Sequence, residues 1–345
     1  MKRRRVMNKD VLKLAFIYIG TIIGAGFASG REIIDFFGVY GAKGIIGMVL
    51  SSFLFMFIGA FFLSKIYEKK INGYENLINN IFGEKLGFFI DTVIILSLFI
   101  GYCIMVSGSG ALFNQEFNLS KNMGIYLMVI LSFITFLFSL EGLSFINSIL
   151  VPLLVLGIIY FGGNVIIEEG FIFSNLKGIE YTNKGNFITS SILYVGFNSL
   201  LLIVILSSLL PIITNKKVAI KGGLMGGGIL GVLGCFILIP LLILYTQVYA
   251  LDIPMLNISG YGGRIYSKIF SVILWLAMFT TAIANGFGFI ERVSKKRNYI
   301  FTSFLFCLSS IPLAKLGFSN LVATIYPIFG YFGGFILLVS IIRLI

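Results

Sequence analysis

Apolar segments of about 20 residues follow one another along almost the whole chain, and that length suits a helix that crosses a bilayer. Only 12% of the 345 residues are charged, whereas a soluble domain carries about 25%. The polar stretches between the segments are too short to hold a separate aqueous domain. The pattern therefore predicts an all-α integral membrane protein that forms a single domain over residues 1–345.

The apolar pattern predicts ten membrane-spanning helices, which we number as spans 1 to 10. Span 1 is longer than a bilayer requires, which indicates an irregularity within it. The predicted spans are roughly 11–38, 44–64, 88–112, 123–140, 144–167, 187–210, 219–246, 266–290, 299–316 and 320–342.

Basic residues are unequally divided between the two sides of these spans. With the N-terminus in the cytoplasm, 18 Lys and Arg residues fall inside and 7 outside, and Arg31 lies within span 1. Cytoplasmic loops of membrane proteins carry such an excess. We therefore expect a multi-pass protein with both termini in the cytoplasm. The same distribution explains the net charge of +12 without a nucleic-acid partner.

An internal repeat is visible in the spacing of the spans. Spans 2 to 5 and spans 7 to 10 begin about 175 residues apart, which divides the chain into one repeat at about 11–167 and another at about 187–342. Because each repeat holds an odd number of spans, the second repeat must be inverted relative to the first. Inverted five-helix repeats are a known plan for transporters.

Span 1 contains a glycine-rich stretch, GTIIGAGFASGREI from Gly20, where an unbroken helix would be expected. Glycine weakens a helix interior, so the stretch predicts a helix that breaks within the membrane, around residues 23–29. Freed amides after the break favour an anion such as a carboxylate, and freed carbonyls before it favour a cation. The alternative is that the glycines serve helix packing.

The repeat predicts a second break at the matching depth of span 6. Residues 196–199 of that span read Gly-Phe-Asn-Ser, a polar and flexible group near its middle. Glycine is common in membrane helices, so ordinary packing is the alternative.

Three charged residues, Arg31, Glu32 and Asp35, follow the first break. Arg31 and Asp35 are four residues apart, so they can pair on one helix face. One interpretation is an outer gate or charged vestibule, with Glu32 as a proton site. The other is that Glu32 and Asp35 only neutralise Arg31.

Polar residues in spans 3 and 8 are further site candidates. Ala277, Thr280 and Thr281 lie on a stripe of small and hydroxyl residues in span 8, and paired hydroxyls can ligate a hard cation. Alternatively, both hydroxyls bond carbonyls of the preceding turn. Tyr102 in span 3 either holds a substrate carboxylate or is a packing aromatic.

The composition argues against an enzyme. The chain has no histidine, the usual general base and the commonest transition-metal ligand. Its cysteines, Cys103, Cys235 and Cys307, all fall in apolar segments and are expected to be packing residues.

Together these features resemble the LeuT fold of the amino acid–polyamine–organocation transporter superfamily. The stretches GTIIGAGFASGREI, YVGFNS in span 6 and YPIFGYFGG in span 10 are most similar to bacterial YkvI-type membrane proteins. The resemblance covers nearly the whole chain. It implies ten spans as two inverted repeats, breaks in spans 1 and 6, and a place in the bacterial plasma membrane.

The resemblance also implies site residues. The sodium ligands would be Gly20, Ile23, Ala277, Thr280 and Thr281. The substrate contacts would be Gly24, Ala25, Gly26, Phe27, Tyr102, Gly196, Phe197 and Asn198. The chain lacks the Asp-Pro-Gly motif and the span-6 methionine of metal-transporting relatives, which argues against a manganese or iron substrate.

We therefore expect a secondary active transporter of an amino acid or similar small organic solute, coupled to sodium and working by alternating access. Sodium would be the coupling ion, with no organic cofactor. Its partners would be the solute and the lipid bilayer, with no nucleic acid and no obligatory protein partner. The alternatives are a non-transporting solute receptor on the same scaffold, similar to a spore-germinant receptor, and proton coupling through Glu32.

Overall fold

A computed structural model describes residues 2–138, 143–170, 185–294 and 298–345. Span 1 is divided there into three helices, α1 (Lys2–Ile22), α2 (Ala25–Ser29) and α3 (Arg31–Phe36). The break predicted from the glycines is therefore confirmed. The parts of the predicted spans and of the basic loops that fall at 139–142, 171–184 and 295–297 lie outside the described residues.

The other helices follow in the order expected from the apolar pattern. They are α4 (Ala42–Lys69), α5 (Tyr74–Ile81), α6 (Gly83–Phe117), α7 (Lys121–Phe136), α8 (Leu143–Glu169), α9 (Phe187–Ser207), α10 (Lys216–Ile243), α11 (Tyr245–Val248), α12 (Pro254–Ser259), α13 (Arg264–Val293), α14 (Tyr299–Ala314) and α15 (Phe318–Leu344).

Seven helices in the described ranges are long and apolar enough to cross a bilayer: α4, α6, the 149–169 part of α8, α9, α10, α13 and α15. Two more apolar helices, α7 and α14, are shorter. An all-α protein with several membrane spans is thus confirmed. The count of ten spans and the inverted repeat stay predictions.

Two glycines shape the break in span 1. Gly24 has an extended backbone and its amide bonds the Ile22 carbonyl at 2.8 Å, which ends α1. Gly30 separates α2 from α3 with φ at 78°, a left-handed conformation that side chains with a Cβ rarely adopt. A Cβ on Gly30 would also lie only 2.9 Å from the Met255 side chain. The sequence therefore breaks this helix twice within eight residues, at 23–24 and at 30.

The break predicted in span 6 is wrong, because α9 runs without interruption from Phe187 to Ser207. Asn198 and Ser199 donate to the carbonyls of Tyr194 and Val195 in their own helix, at 2.9 Å and 2.6 Å. These bonds satisfy both side chains without unwinding the backbone.

Gly196 instead serves helix packing. A Cβ at Gly196 would clash with the Gly330 carbonyl of α15, and a Cβ at Gly333 would clash with the Gly196 carbonyl. The glycines of α9 and α15 thus let two backbones touch, as small residues commonly do in membrane helices. Other contacts follow the same rule, including Gly59 of α4 against Gly223 of α10.

The contact between α9 and α15 gives a direct test. We expect Gly333→Ala to destabilise the protein by about 1–3 kcal/mol, since its new methyl group meets the Gly196 carbonyl. Gly334→Ala is the matched control, because a Cβ there has no atom within 4 Å, and its effect should stay within about 0.5 kcal/mol. Thermal unfolding in detergent measures both. Equal melting temperatures for the two variants would contradict the packing role.

Candidate solute site at the break in span 1

A cavity of about 110 Å³ lies beside the break in span 1. Residues from α1, the break, α3, α6, α9, α13 and α15 form its wall. The predicted site residues in that wall are Gly24, Ala25, Gly26, Phe27, Glu32, Phe197, Asn198 and Thr281. The structure therefore brings together residues that are more than 250 positions apart in the sequence, from Gly24 to Thr281.

The break leaves backbone groups without helical partners. Among the described residues, no backbone donor bonds the carbonyl oxygens of Gly20 or Ile23, because the amide of Gly24 turns to Ile22. The amides of Ala25, Gly26 and Phe27 begin α2 and have no backbone acceptor in the same set. Free carbonyls thus precede free amides within one short stretch, as expected from the sequence.

The stripe of small and hydroxyl residues on α13 approaches the break at Thr281. A Cβ at Gly24 would lie 3.9 Å from the Thr281 Oγ1, so this hydroxyl faces the break. The neighbouring Thr280 is buried and donates to the Ala277 carbonyl at 3.1 Å. For Thr280, the alternative of a bond to the preceding turn therefore describes the geometry. Neither Thr280 nor Ala277 lines the cavity.

Glu32 lies in the cavity wall with only 4% of its surface exposed. A Cβ at Gly26 would lie 3.2 Å from the Glu32 Oε2 and 3.4 Å from the Tyr326 hydroxyl. Tyr194 also lies close enough to interact electrostatically with the carboxyl group. Within the described part of the chain, no Lys or Arg forms an ion pair with Glu32.

Arg31 and Asp35 form a pair that turns away from Glu32. The Arg31 guanidinium donates to both Asp35 oxygens, at 3.0 Å and 2.8 Å. Its Nη1 donates to the carbonyls of Tyr249 and Leu251, at 2.8 Å and 3.0 Å. The predicted pairing is confirmed, and the interpretation that both carboxylates neutralise Arg31 does not fit, because only Asp35 bonds it.

Residues 249–253, which we call the α11–α12 loop, are held by three further side chains that the sequence did not point to, those of Gln115, Lys121 and Ser319. Gln115 of α6 donates to the Ile253 carbonyl at 2.8 Å and accepts from its amide at 3.0 Å. Asp252 accepts from Lys121 and from the Ser319 hydroxyl, each at 2.7 Å. The loop is therefore tied to four separate helices, α3, α6, α7 and α15.

Tyr102 lies outside the cavity wall. Its hydroxyl contacts the Cys307 Sγ at 3.6 Å, and its ring lies 4.6 Å from that of Phe306 between centroids. This placement matches the alternative of a packing aromatic. Four other predicted site residues also lie outside the cavity wall: Gly20, Ile23, Gly196 and Ala277.

Three polar or aromatic groups at the site, Tyr194, Tyr326 and Asn285, were not among the predicted site residues. Tyr326 stacks on Phe197 with ring centroids 3.9 Å apart, and both line the cavity. Asn285 also lines it and packs against Gly101, where a Cβ would lie 2.6 Å from its Nδ2. A usable signal was present, since Tyr194 and Tyr326 are polar aromatics within otherwise apolar spans.

Comparison with known proteins decides the family. No protein-family model matches the chain. It is 30% identical over 328 residues to the membrane protein YkvI of Bacillus subtilis, and the match covers 92% of each chain. The chain belongs to the YkvI family. A second relative, YyaD of Bacillus subtilis, is 27% identical over 322 residues, again with 92% of each chain covered.

Solved structures show that this YkvI-family chain has the LeuT fold. A manganese transporter of Eremococcus coleocola superposes with a TM-score of 0.62 at 15% identity, covering 95% of this chain and 77% of that one. The inward-facing form of Mhp1 gives 0.58 at 13% identity, over 96% and 76%. A Na⁺-coupled sialic acid symporter in its outward-open state gives 0.51 at 15%, over 98% and 84%. At these identities the likeness concerns the fold alone.

The ties of the α11–α12 loop can be tested through Asp252. We expect Asp252→Ala to speed hydrogen exchange at the Ser319 amide by roughly tenfold, because its hydrogen bond to a charged group is lost. Exchange with mass-spectrometric readout measures this. Glu116→Gln is the control, since Glu116 bonds Ser267 and not the loop. Unchanged exchange in Asp252→Ala would show that Asp252 does not hold the loop.

The Asp252 carboxyl group also predicts how protection of the α11–α12 loop depends on pH. Burial opposes its ionisation, but the bonds from Lys121 and Ser319 outweigh burial and lower the pKa of Asp252. Its stabilising contribution is therefore complete above the unfolded value of about 3.9 and is lost as pH falls through the lower folded value. We expect loop protection to hold from neutral pH down to about 4 in the wild-type protein. Loss of protection between pH 7 and 5 would contradict this assignment.

Proposed function

We propose that this YkvI-family protein is a secondary active transporter of an amino acid or similar small organic solute, which binds in the cavity beside the break. The observation that carries the proposal is the break itself. It leaves the amides of Ala25, Gly26 and Phe27 without backbone acceptors in the wall of a mostly apolar cavity, and the nearby carbonyls of Gly20 and Ile23 without backbone donors. Polar backbone of this kind is tolerated at membrane depth only where it is buried in protein or lines a cavity.

The placement of the cavity fits alternating access. The α11–α12 loop is tied to α3 through Arg31, just beyond the residues that line the cavity. We propose that this tie keeps the site closed on the side of the loop. Transport requires a second arrangement in which the loop is released and the site is reached from that side. The structural neighbours named above are transporters, which supports this reading.

We also propose ten spans in two inverted repeats, at about 11–167 and 187–342, with both termini in the cytoplasm of a bacterial cell. Helices α7 and α14 and the broken α1–α3 segment complete the seven long apolar helices. A further support is the bond from the Ser52 hydroxyl to the Gly227 carbonyl, 3.2 Å long and spanning 175 residues. This separation equals the predicted repeat offset, and equivalent positions meet near a two-fold axis.

Sodium is the coupling ion we propose. The oxygen atoms available are the free carbonyls of Gly20 and Ile23 in the break and, on α13, the Thr281 hydroxyl, with Thr280 and Ala277 beside it. Oxygen donors suit a hard cation. No group of three His, Cys, Asp or Glu side chains converges within the described ranges, so the residues present do not favour a transition metal.

Proton coupling through Glu32 is the second candidate, and its position in the cavity wall favours it. A charged carboxylate is costly to bury without a partner, so the group can hold a proton when the site is empty. The titratable groups that interact with it from other helices include Tyr194 of α9 and Tyr326 of α15. On its own helix, Arg31 and Asp35 bond each other.

Uptake into proteoliposomes tests transport and sodium coupling together. With pooled labelled amino acids and small amines, we expect an inward sodium gradient to stimulate uptake relative to potassium. Thr280→Ala/Thr281→Ala should lower the apparent sodium affinity by about tenfold or more, because it removes hydroxyl oxygens beside the break. Ser271→Ala is the matched control, because the Ser271 hydroxyl also lies on α13 and donates to a carbonyl of its own helix, that of Lys268. Sodium-independent uptake that is unaffected in the double variant would reject sodium coupling.

Proton coupling makes a different prediction for the same vesicles. If Glu32 carries the proton, an inward proton gradient drives uptake without sodium, and Glu32→Gln abolishes that response because glutamine cannot titrate. Glu116→Gln removes a carboxyl outside the cavity and should leave the response intact. A proton-driven rate that survives in Glu32→Gln would reject this candidate. Solute binding without flux under either gradient would point instead to a receptor.

A further inference from the structure

The cavity wall has a single formal charge. Of the residues that the structure describes there, Glu32 alone is an Asp, Glu, Lys or Arg. The remaining wall consists of backbone at the break, apolar side chains, hydroxyls and two amides, Asn198 and Asn285. The wall therefore offers one localised negative charge and no positive side chain to balance it.

The nearest basic residue is already committed elsewhere. Arg31 precedes Glu32 in the chain, but its guanidinium bonds both oxygens of Asp35 and two carbonyls of the α11–α12 loop. Turning it toward Glu32 would break these four hydrogen bonds and separate the buried Asp35 from the guanidinium that it binds. The protein thus keeps its own positive charge away from the cavity.

A buried carboxylate without a partner is unstable, so a counter-charge must enter the cavity for Glu32 to stay ionised. We propose that this counter-charge is the cationic nitrogen of the transported solute, and that the protein takes up small organic amines through Glu32. This inference rests on the proposed transport function and narrows its substrate class.

The aromatic wall favours an organic cation. Phe197 and Tyr326 present a stacked pair whose rings are nearly parallel, at 20°, beside the carboxyl. Aromatic faces attract alkylammonium groups and tolerate their apolar substituents. An inorganic cation would gain little from these rings, because it is held mainly by oxygen ligands.

The position of Glu32 also favours the binding of amines over the binding of zwitterions. The carboxyl oxygen lies 3.2 Å from where a Cβ of Gly26 would be. Gly26 carries one of the free amides at which a solute carboxylate would bind. A zwitterion bound there would bring a second negative charge beside Glu32, unless Glu32 were protonated. An amine without a carboxylate meets no such repulsion.

Binding to the full-length protein in detergent tests the proposal, with calorimetry as the readout. The probes are choline, its neutral isostere 3,3-dimethylbutan-1-ol, propylammonium and the zwitterion alanine. We expect the cations to bind at least about tenfold more tightly than the neutral isostere, as hydrogen bonds and contacts to a charged group predict. In Glu32→Gln the preference for choline over its isostere should disappear. Glu116→Gln, which neutralises a carboxyl outside the cavity, should keep it.

A second variant guards against misfolding of Glu32→Gln. Phe197→Leu keeps the carboxylate and removes one aromatic face, so choline binding should weaken more than binding of the isostere. The proposal is overturned if alanine binds more tightly than both amines, if none of the probes binds, or if charge preference survives in Glu32→Gln.

Flux measurements separate this proposal from the transport function on which it rests. Exchange of labelled choline across proteoliposomes should be lost in Glu32→Gln and kept in Glu116→Gln. Choline binding that depends on Glu32 but never leads to flux would reject transport while supporting the amine site. Flux of amino acids without any preference for positive charge would support transport and reject the amine site.

Discussion

The structure depends on one energetic constraint, which is that backbone polar groups cannot be left without partners in hydrocarbon. The break between α1 and α2 removes helical partners from carbonyls at Gly20 and Ile23 and from amides at Ala25 to Phe27. Such a stretch is stable only if other helices cover it and supply polar atoms. Helices α6, α9, α13 and α15 surround it, so the cavity and the fold have the same origin.

The short helix α3 shows how neighbouring charges acquire different surroundings. Residues four apart lie on one helix face, whereas consecutive residues point about 100° apart around the axis. Arg31 and Asp35 therefore share the face toward the α11–α12 loop. Glu32 points to the cavity beside Gly26 and Tyr326. The same short helix therefore presents the Arg31–Asp35 ion pair on one face and the Glu32 carboxyl group on another.

The sequence predicted the features that depend on local chemistry. The helical membrane architecture, the break in span 1 and the pairing of Arg31 with Asp35 all follow from hydropathy, glycine spacing and helix periodicity. The prediction of a break in span 6 was wrong because glycine can either interrupt a helix or let two helices pack closely. Only the neighbouring helix decides between these two roles. At Gly196 the partner is Gly330, 134 positions away in the chain, so no local pattern could settle the matter.

Tertiary contacts also explain what the sequence did not reveal at the site. Tyr102 looked like a substrate ligand from its depth in span 3, but its rotation about the helix axis places it against Phe306 and Cys307. Tyr326 and Tyr194 become relevant only because α15 and α9 bring them to Glu32. An error of a few residues in a span boundary is enough to rotate a side chain from the cavity into the packed interior.

The ties of the α11–α12 loop have a consequence for how the chain tolerates substitution. Arg31 and Gln115 bind the loop through its main chain, at the carbonyls of Tyr249, Leu251 and Ile253 and the amide of Ile253. Main-chain groups are the same for almost any residue, and among these bonds Asp252 alone contributes a side chain from the loop. Most loop positions can therefore diverge without loss of these bonds. The residues that hold the loop lie in the helices, so selection for these bonds would be visible in the helices rather than in the loop itself.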